Sequence, residues 1–214
     1  MKKLLLMPII MFLSVLTLFA QNDKKAKDIL DKLSNKYSKI ECMKINFRMT
    51  VENNEEDMKD SSIGMADIKK NKYKISIMGT ETFFDGKNRY NYMKDAEEVN
   101  ISEVEENSGD LTNPAKIFDL YKNGFNYSLN KTYKKGKTKY AEIYLIPREE
   151  KDFSKVIVSI NLSKNEIVSF VSKGKEGNDL RIELIRMDTK VHFSDGHFVF
   201  DEKSHPNVEV VDMR

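Results

Sequence analysis

The sequence has few cysteines and almost no net charge, and both shortages exclude classes of protein. Cys42 is the only cysteine among 214 residues, so the chain cannot form an intramolecular disulfide and must rely on its apolar core. We expect Cys42 to pack as a small hydrophobic side chain. The formal net charge is +2, and Lys2 and Lys3 account for it. The rest of the chain is neutral, which argues against nucleic acid or an anionic membrane as a partner held by bulk electrostatics.

Motifs for catalysis, metal binding and phosphate binding are also lacking. His192, His197 and His205 have neither the spacing nor the companions of a metal site, and the last two are expected in surface loops. The sequence contains no G-x-S-x-G motif, and Gly136-Lys137-Thr138 lacks the upstream glycine of a P-loop. Residues 134–139 are therefore predicted to form a basic hairpin turn. We expect no enzyme activity, no metal and no cofactor, and the pattern favours holding a ligand over chemistry.

The one long apolar run lies at the N-terminus. It covers residues 4–19, follows the basic Met1-Lys2-Lys3 and ends at the small residue Ala20. This order is typical of a cleavable secretory signal. The alternative is an uncleaved anchor helix, but the run is short for a span of about 20 apolar residues. We therefore predict an export signal over residues 1–20, a single domain over residues 21–214 and a periplasmic location.

Hydrophobic periodicity predicts one helix followed by strands. Residues 23–37 carry apolar side chains at helical spacing, with Asp23 positioned to cap the start. From residue 42 the period changes to two, and strands are predicted near 42–52, 62–69, 73–78, 82–85, 89–93, 97–102, 125–133, 140–146, 155–162, 166–172, 180–193 and 198–200. About eleven strands with short turns predict a mainly β protein, an antiparallel meander that curls into a barrel or half-barrel.

Residues 103–124 interrupt this meander. Asn113 and Pro114 are typical of a helix start, and Asn123-Gly124 is typical of a helix end. The helix predicted over 115–122 has apolar side chains on more than one stripe, at Ile117, Phe118, Leu120 and Tyr121. Such a helix either plugs the barrel or closes over an apolar opening.

Four segments, in this order, resemble one known family. They are the long strand centred on Phe47, the run Gly64–Lys70 leading into Tyr73-Lys74-Ile75, the Asp85-Gly86-Lys87 turn followed by Tyr90 and Tyr92, and the tail Pro206–Asp212 with Arg214. The sequence is similar, on these segments, to the periplasmic outer-membrane lipoprotein carriers, LolA and LolB and their relatives. The resemblance covers essentially all of residues 23–214.

The resemblance implies an incomplete antiparallel β-barrel with an N-terminal helix and a helical lid, whose apolar cavity shelters acyl chains. It further implies a monomer that carries lipoproteins or other acylated ligands. Such a carrier makes transient contact with inner-membrane extraction machinery and with an outer-membrane acceptor. Family members use an Arg-Pro pair to tether the lid, and here Lys70 and Asn71 occupy the matching positions. Lys70 is the candidate tether, although lysine lacks the bidentate fork of arginine.

The residues expected to line the cavity follow from the same resemblance. They are Met43, Ile45, Phe47, Met49, Ile75, Ile77, Tyr90 and Tyr92 on the strands, with Pro114, Ile117, Phe118 and Tyr121 on the lid. Alternation defines two faces of a strand without saying which one points inward. A structural or interaction module of the cell envelope, with a filled barrel, is the second hypothesis. A hydrolase on a similar barrel is a third, weakened by the lack of a catalytic cluster.

Overall fold

The computed structural model describes residues 23–53, 56–104 and 113–214. The predicted export signal and its cleavage point lie outside these residues. One α-helix, α1 (Lys24–Tyr37), is followed by β1 (Cys42–Asn53), β2 (Met58–Lys69), β3 (Lys72–Ile77), β4 (Thr80–Phe84), β5 (Asn88–Met93), β6 (Glu98–Glu103), β7 (Phe125–Lys135), β8 (Thr138–Pro147), β9 (Phe153–Asn161), β10 (Glu166–Gly174), β11 (Asn178–Asp188) and β12 (Glu209–Asp212). No helix within the described ranges is long and apolar enough to cross a membrane.

All twelve strands belong to one sheet, in the order β12-β6-β5-β4-β3-β2-β1-β11-β10-β9-β8-β7. The sheet is open, because its edge strands β12 and β7 do not pair with each other. The mainly β class, the N-terminal helix and the incomplete barrel predicted from the sequence are therefore confirmed.

Two details of the strand prediction are wrong. Residues 198–200 do not form a strand, because Asp195–Phe198 form a 3-10 helix. The sheet also gains β12, which pairs in parallel with β6 and makes the sheet not wholly antiparallel. Four residues at a sheet edge are too few to produce a clear alternating pattern, so the sequence gives little sign of β12.

Helix α1 begins at Asp23 and packs its apolar stripe on one face of the sheet. The Asp23 carboxylate accepts hydrogen bonds from the backbone N–H groups of Lys25 and Ala26, at 2.8 and 3.4 Å. Leu30, Leu33 and Tyr37 are buried on the same side of the helix. They belong to the main core together with side chains from the inner face of the sheet.

A second, smaller core lies on the outer face. Phe84 belongs to the main core and its neighbour Phe83 to the second, and adjacent strand residues point to opposite faces. The chain after β11 covers this outer face, with Phe200 packed against Phe83. His197 bonds to the Asp67 carboxylate at 2.8 Å, and His205 stacks on Phe200. Both histidines, which were predicted to lie in surface loops, are half-buried and anchor the segment after β11.

Cys42 is buried and free, which confirms its expected role as a packed hydrophobic side chain.

Replacing Gly174 with alanine should destabilise the fold. A Cβ at Gly174 would lie 2.1 Å from the backbone carbonyl oxygen of Asn178, so the tight β10–β11 connection would have to open. We expect Gly174→Ala to lower the free energy of unfolding by about 1–3 kcal/mol, as overpacking does elsewhere. Urea denaturation measures this, with Gly196→Ala as the control, because a Cβ at Gly196 meets nothing within 4 Å. Equal decreases in the free energy of unfolding of the two variants would contradict the steric explanation.

Candidate functional site

An apolar cavity of about 280 Å³ lies between the inner face of the sheet and residues 113–124. Among the residues that the structure describes, its lining is almost wholly hydrocarbon, with Thr82 as the one polar residue. The lining consists of Ile45, Phe47, Met49, Ala66, Ile75, Ile77, Thr82, Pro114, Ile117, Phe118, Phe170, Leu180, Ile182 and Leu184. The volume is near the lower end of the range for small-molecule sites, about 300–1,000 Å³. A space with this lining can hold an apolar group without directional contacts.

The inner face of β1 forms one wall because alternate residues of a strand share a face. The bulky ring of Phe47 fits there because it lies over Gly64 of β2. A Cβ at Gly64 would be 2.5 Å from Phe47 Cζ. The absence of a side chain at Gly64 therefore positions the Phe47 ring beside the cavity.

The wall continues from β1 onto its neighbours β11 and β10. Leu180, Ile182 and Leu184 alternate along β11, and Phe170 projects from β10. These four residues were not among the sequence-based candidates. The alternation in 180–184 was readable, but the pairing of β1 with β11 joins residues more than one hundred positions apart. Nothing in the local pattern reveals such a distant pairing.

Residues 113–124, which we call the lid, are less helical than predicted. The lid consists of successive turns followed by a 3-10 helix of three residues, Leu120–Lys122. Backbone hydrogen bonds join Lys116 N to Asn113 O, Asp119 N to Lys116 O, and Lys122 N to Asp119 O. These are i to i−3 bonds, which form tighter turns than an α-helix does. Asn113 caps the start as predicted, since its side-chain oxygen accepts a hydrogen bond from Ala115 N at 3.0 Å.

Three contacts fasten the lid to α1. The Phe118 ring stacks on Tyr37 with the centroids 3.8 Å apart. The Tyr121 hydroxyl donates to Asp31 Oδ1 at 2.6 Å, and the Ser34 hydroxyl donates to Asp119 Oδ1 at 2.5 Å. The lid is thus held by one ring stack and two hydrogen bonds to carboxylates, which are among the stronger kinds in proteins.

These contacts change the acidity of the groups that make them. The Lys27 ammonium, 2.6 Å away, and then the Tyr121 hydroxyl hold the pKa of Asp31 below its usual value. Burial, and then the neighbouring Asp31, raise the pKa of Tyr121. Burial raises the pKa of Tyr37 to about 12. At neutral pH Asp31 is therefore an acceptor and both tyrosines keep their protons.

Most of the candidates chosen from the sequence lie together. Eight of them line the cavity: Ile45, Phe47, Met49, Ile75, Ile77, Pro114, Ile117 and Phe118. Met43 and Tyr121 belong to the main core but not to the lining. Tyr90 and Tyr92 belong to the second core, on the other face of the sheet. The face of β5 that was expected to line the cavity therefore lies on the outer side of the sheet. Its aromatic residues pack there under the segment that follows β11.

Lys70 does not tether the lid. It lies exposed in the turn between β2 and β3, with a positive φ of 55°. Its side chain has no ion pair or hydrogen bond with any residue that the structure describes. The contacts with the lid come from α1 instead.

Comparison with known proteins identifies the class. The family described as "Outer membrane lipoprotein carrier protein LolA" matches residues 16–177. The chain therefore belongs to the LolA family of lipoprotein carriers, which confirms the resemblance drawn from the sequence. A search of curated proteins finds no match.

Solved structures share this fold at low sequence identity. An uncharacterized conserved protein from Thermus thermophilus is 11% identical, with a TM-score of 0.58, over 88% of this chain and 99% of its own. A LolA superfamily protein from Nitrosomonas europaea is 13% identical, with a TM-score of 0.47, over 83% and 98%. The lipoprotein LppX from Mycobacterium tuberculosis is 12% identical, with a TM-score of 0.46, over 78% and 99%. At 11% identity the likeness to the Thermus thermophilus protein shows the fold alone.

Proposed function

We propose that this protein is a periplasmic carrier that holds the acyl chains of lipoproteins, or of related lipids, in the cavity beneath the lid. The observation that carries the proposal is the nearly all-apolar lining of a cavity whose one side is a fastened segment of chain. Membership of the lipoprotein carrier family supports the same cargo class. The predicted export signal supports the periplasm as the place of action.

The physical need for such a cavity is large. Each CH₂ group that leaves water gains about 0.8 kcal/mol, so a naked chain of roughly 16 carbons costs on the order of 12 kcal/mol. A carrier must cover this surface and later release it without a chemical step. Contacts with aliphatic side chains are non-directional, so a chain can slide in and out without breaking specific bonds.

The size of the cavity bears on how cargo enters. At about 280 Å³ the closed cavity accommodates a short piece of hydrocarbon. Pro114, Ile117 and Phe118 form its lid side, so displacement of the lid would lengthen the space and open it to solvent. We infer that a long acyl chain binds with the lid displaced from α1. Transfer of the acyl chain to an acceptor would then need only an apolar surface on the acceptor that binds the chain more tightly.

Filling the cavity should abolish ligand binding. We expect Ile182→Trp to weaken binding of an apolar fluorescent fatty-acid probe at least tenfold, because the indole occupies the space of the ligand. Ile182 lines the cavity, whereas Ile185 on the same strand is 54% exposed. Ile185→Trp is therefore the matched control and should bind as the native protein does. Probe titration of both variants measures the difference.

A second part of this experiment tests the cargo class. Bound probe should be displaced by a synthetic acylated lipopeptide and not by the same peptide without its acyl groups. Equal binding by the native protein and Ile182→Trp, or no displacement by the lipopeptide, would favour the alternative of a non-catalytic envelope module with a filled barrel.

A further inference from the structure

A broad groove on the side of α1 is lined with lysines and is separate from the lid cavity. Its volume is about 780 Å³. Lys32, Lys36 and Lys39 of the α1 side and Lys139 of β8 surround it, and Ile29 and Leu162 provide the apolar part of the lining. We call these six residues the lysine groove. Four of these side chains come from α1 and the turn after it, and folding brings Lys139 and Leu162 against them.

The positive charge of this groove is largely uncompensated. Lys36 pairs with Glu166 at 3.1 Å. Within the part of the chain that the structure describes, Lys32, Lys39 and Lys139 have no carboxylate within ion-pair distance. Since the sequence is close to neutral as a whole, charge of one sign concentrated on one side marks a surface suited to an anionic partner.

The basic turn noted in the sequence extends the groove. The β7–β8 hairpin ends in Lys134, Lys135 and Lys137, which are all exposed. Lys134 lies directly opposite Lys139 in the strand register. Like charges directly opposite each other on neighbouring strands are destabilising. The repulsion between these two ammonium groups lowers the stability of the free protein. Binding of an anion would offset this repulsion.

The composition of the surface favours a lipid bilayer over an acidic protein. The charges are all lysines, which are compact point charges on long flexible stems and can follow an anionic lipid surface that offers no fixed geometry. Exposed Tyr133 stacks on Tyr140 with centroids 5.4 Å apart, on the opposite face of the hairpin from Lys134 and Lys139, so aromatic and basic side chains flank the hairpin tip on its two faces. Tyrosine and lysine together are typical of segments that sit at the membrane–water interface.

We propose that the lysine groove and the β7–β8 hairpin tip form a docking surface for the anionic phosphate headgroups of a membrane. The neutral chain as a whole would not be retained at such a membrane, while this one side can make a brief, oriented contact. The docking surface is distinct from the lid cavity, so the proposal does not depend on what the cavity carries.

Co-sedimentation with vesicles tests the docking surface. We expect the purified protein to bind vesicles of 30% phosphatidylglycerol in phosphatidylcholine and not vesicles of phosphatidylcholine alone, with affinity falling as salt rises. The triple variant Lys134→Gln, Lys135→Gln, Lys137→Gln should lose at least tenfold in affinity, because each lysine near an anionic surface contributes roughly fivefold. These side chains are exposed, so the fold should be unaffected.

A matched triple variant separates position from total charge. Lys59→Gln, Lys190→Gln, Lys203→Gln removes the same charge from exposed sites outside the groove and should bind vesicles as the native protein does. Equal losses of vesicle affinity in the two triple variants would overturn the proposal. Failure of the native protein to bind the anionic vesicles would also overturn it. The Lys134, Lys135 and Lys137 triple variant should still bind the apolar probe as the native protein does, because none of these lysines lines the cavity, so failure of this proposal and failure of the carrier function can be told apart.

Discussion

Phe118→Glu should reduce binding of an apolar ligand at least a hundredfold while the sheet stays folded. Phe118 is only 8% exposed, lines the cavity and stacks on Tyr37. A carboxylate at this position would face a lining with Thr82 as its one polar residue. An unpaired buried charge is costly, so the glutamate would leave the cavity and carry the lid with it. Probe titration measures the loss of binding, and far-UV circular dichroism checks the strands.

Phe118→Leu is the control for this result. Leucine keeps an apolar side chain over the cavity, so we expect a loss in probe affinity of less than about tenfold, in line with the small cost of apolar replacements that roughly conserve volume. Native-like probe binding by Phe118→Glu would show that the lid does not close the binding site. Loss of the strand signal would show instead that Phe118 serves the fold, and Ile182→Trp would then carry the test of the cavity.

Tyr121→Phe should release bound ligand about ten to one hundred times faster. The change removes the bond from the Tyr121 hydroxyl to Asp31 and keeps the ring in the core. A hydrogen bond to a charged group contributes about 1.5–3 kcal/mol, and about 1.4 kcal/mol corresponds to a factor of ten. Asp31 keeps its pairing with Lys27, so no unpaired charge remains. Stopped-flow displacement of the probe measures the release rate.

Lys70→Met is the control for the lid fastening, because Lys70 has no contact with the lid in the described part of the chain. Its release rate should equal that of the native protein. If Lys70→Met accelerated release as much as Tyr121→Phe, the assignment of the fastening to α1 would be wrong.

The hydrogen bond between Tyr121 of the lid and Asp31 of α1 should also weaken at high pH. The folded protein raises the pKa of Tyr121 above its ordinary value of 10.0. The contribution of this contact is therefore complete below pH 10 and declines as the pH rises toward the pKa of the folded state. Native release should quicken above pH 10, and Tyr121→Phe should lack this contribution.

The sequence predicts those features of the fold that depend on residues close together in the chain. The alternation Met43, Ile45, Phe47 and Met49 predicts β1 without saying which face points inward, and the structure places Ile45, Phe47 and Met49 at the cavity. Asp23 predicts the start of α1. The apolar pattern at Ile117 and Phe118 predicts a segment that either plugs the barrel or closes over an opening, and the choice of a lid came from the family resemblance.

What the sequence does not predict depends on contacts between distant residues. Tyr90 and Tyr92 alternate as cavity residues would, and only the packing of Phe200 on the outer face explains their burial there. The contact between Tyr121 and Asp31 joins residues ninety positions apart. The lid forms i to i−3 turns and its side chains contact α1, and helix-boundary signals reveal neither feature.

An open sheet carries a hazard that a closed barrel avoids. Its two edge strands could pair with strands of other molecules and start aggregation. Here β12, only four residues long and bearing Glu209 and Asp212, covers the edge of β6. At the other edge, Asp23 occupies the backbone groups of β7, donating to Tyr127 O and accepting from Leu129 N. The residue that starts the helix therefore also occupies part of a free sheet edge, and fewer unpaired backbone groups remain there for a second molecule to pair with.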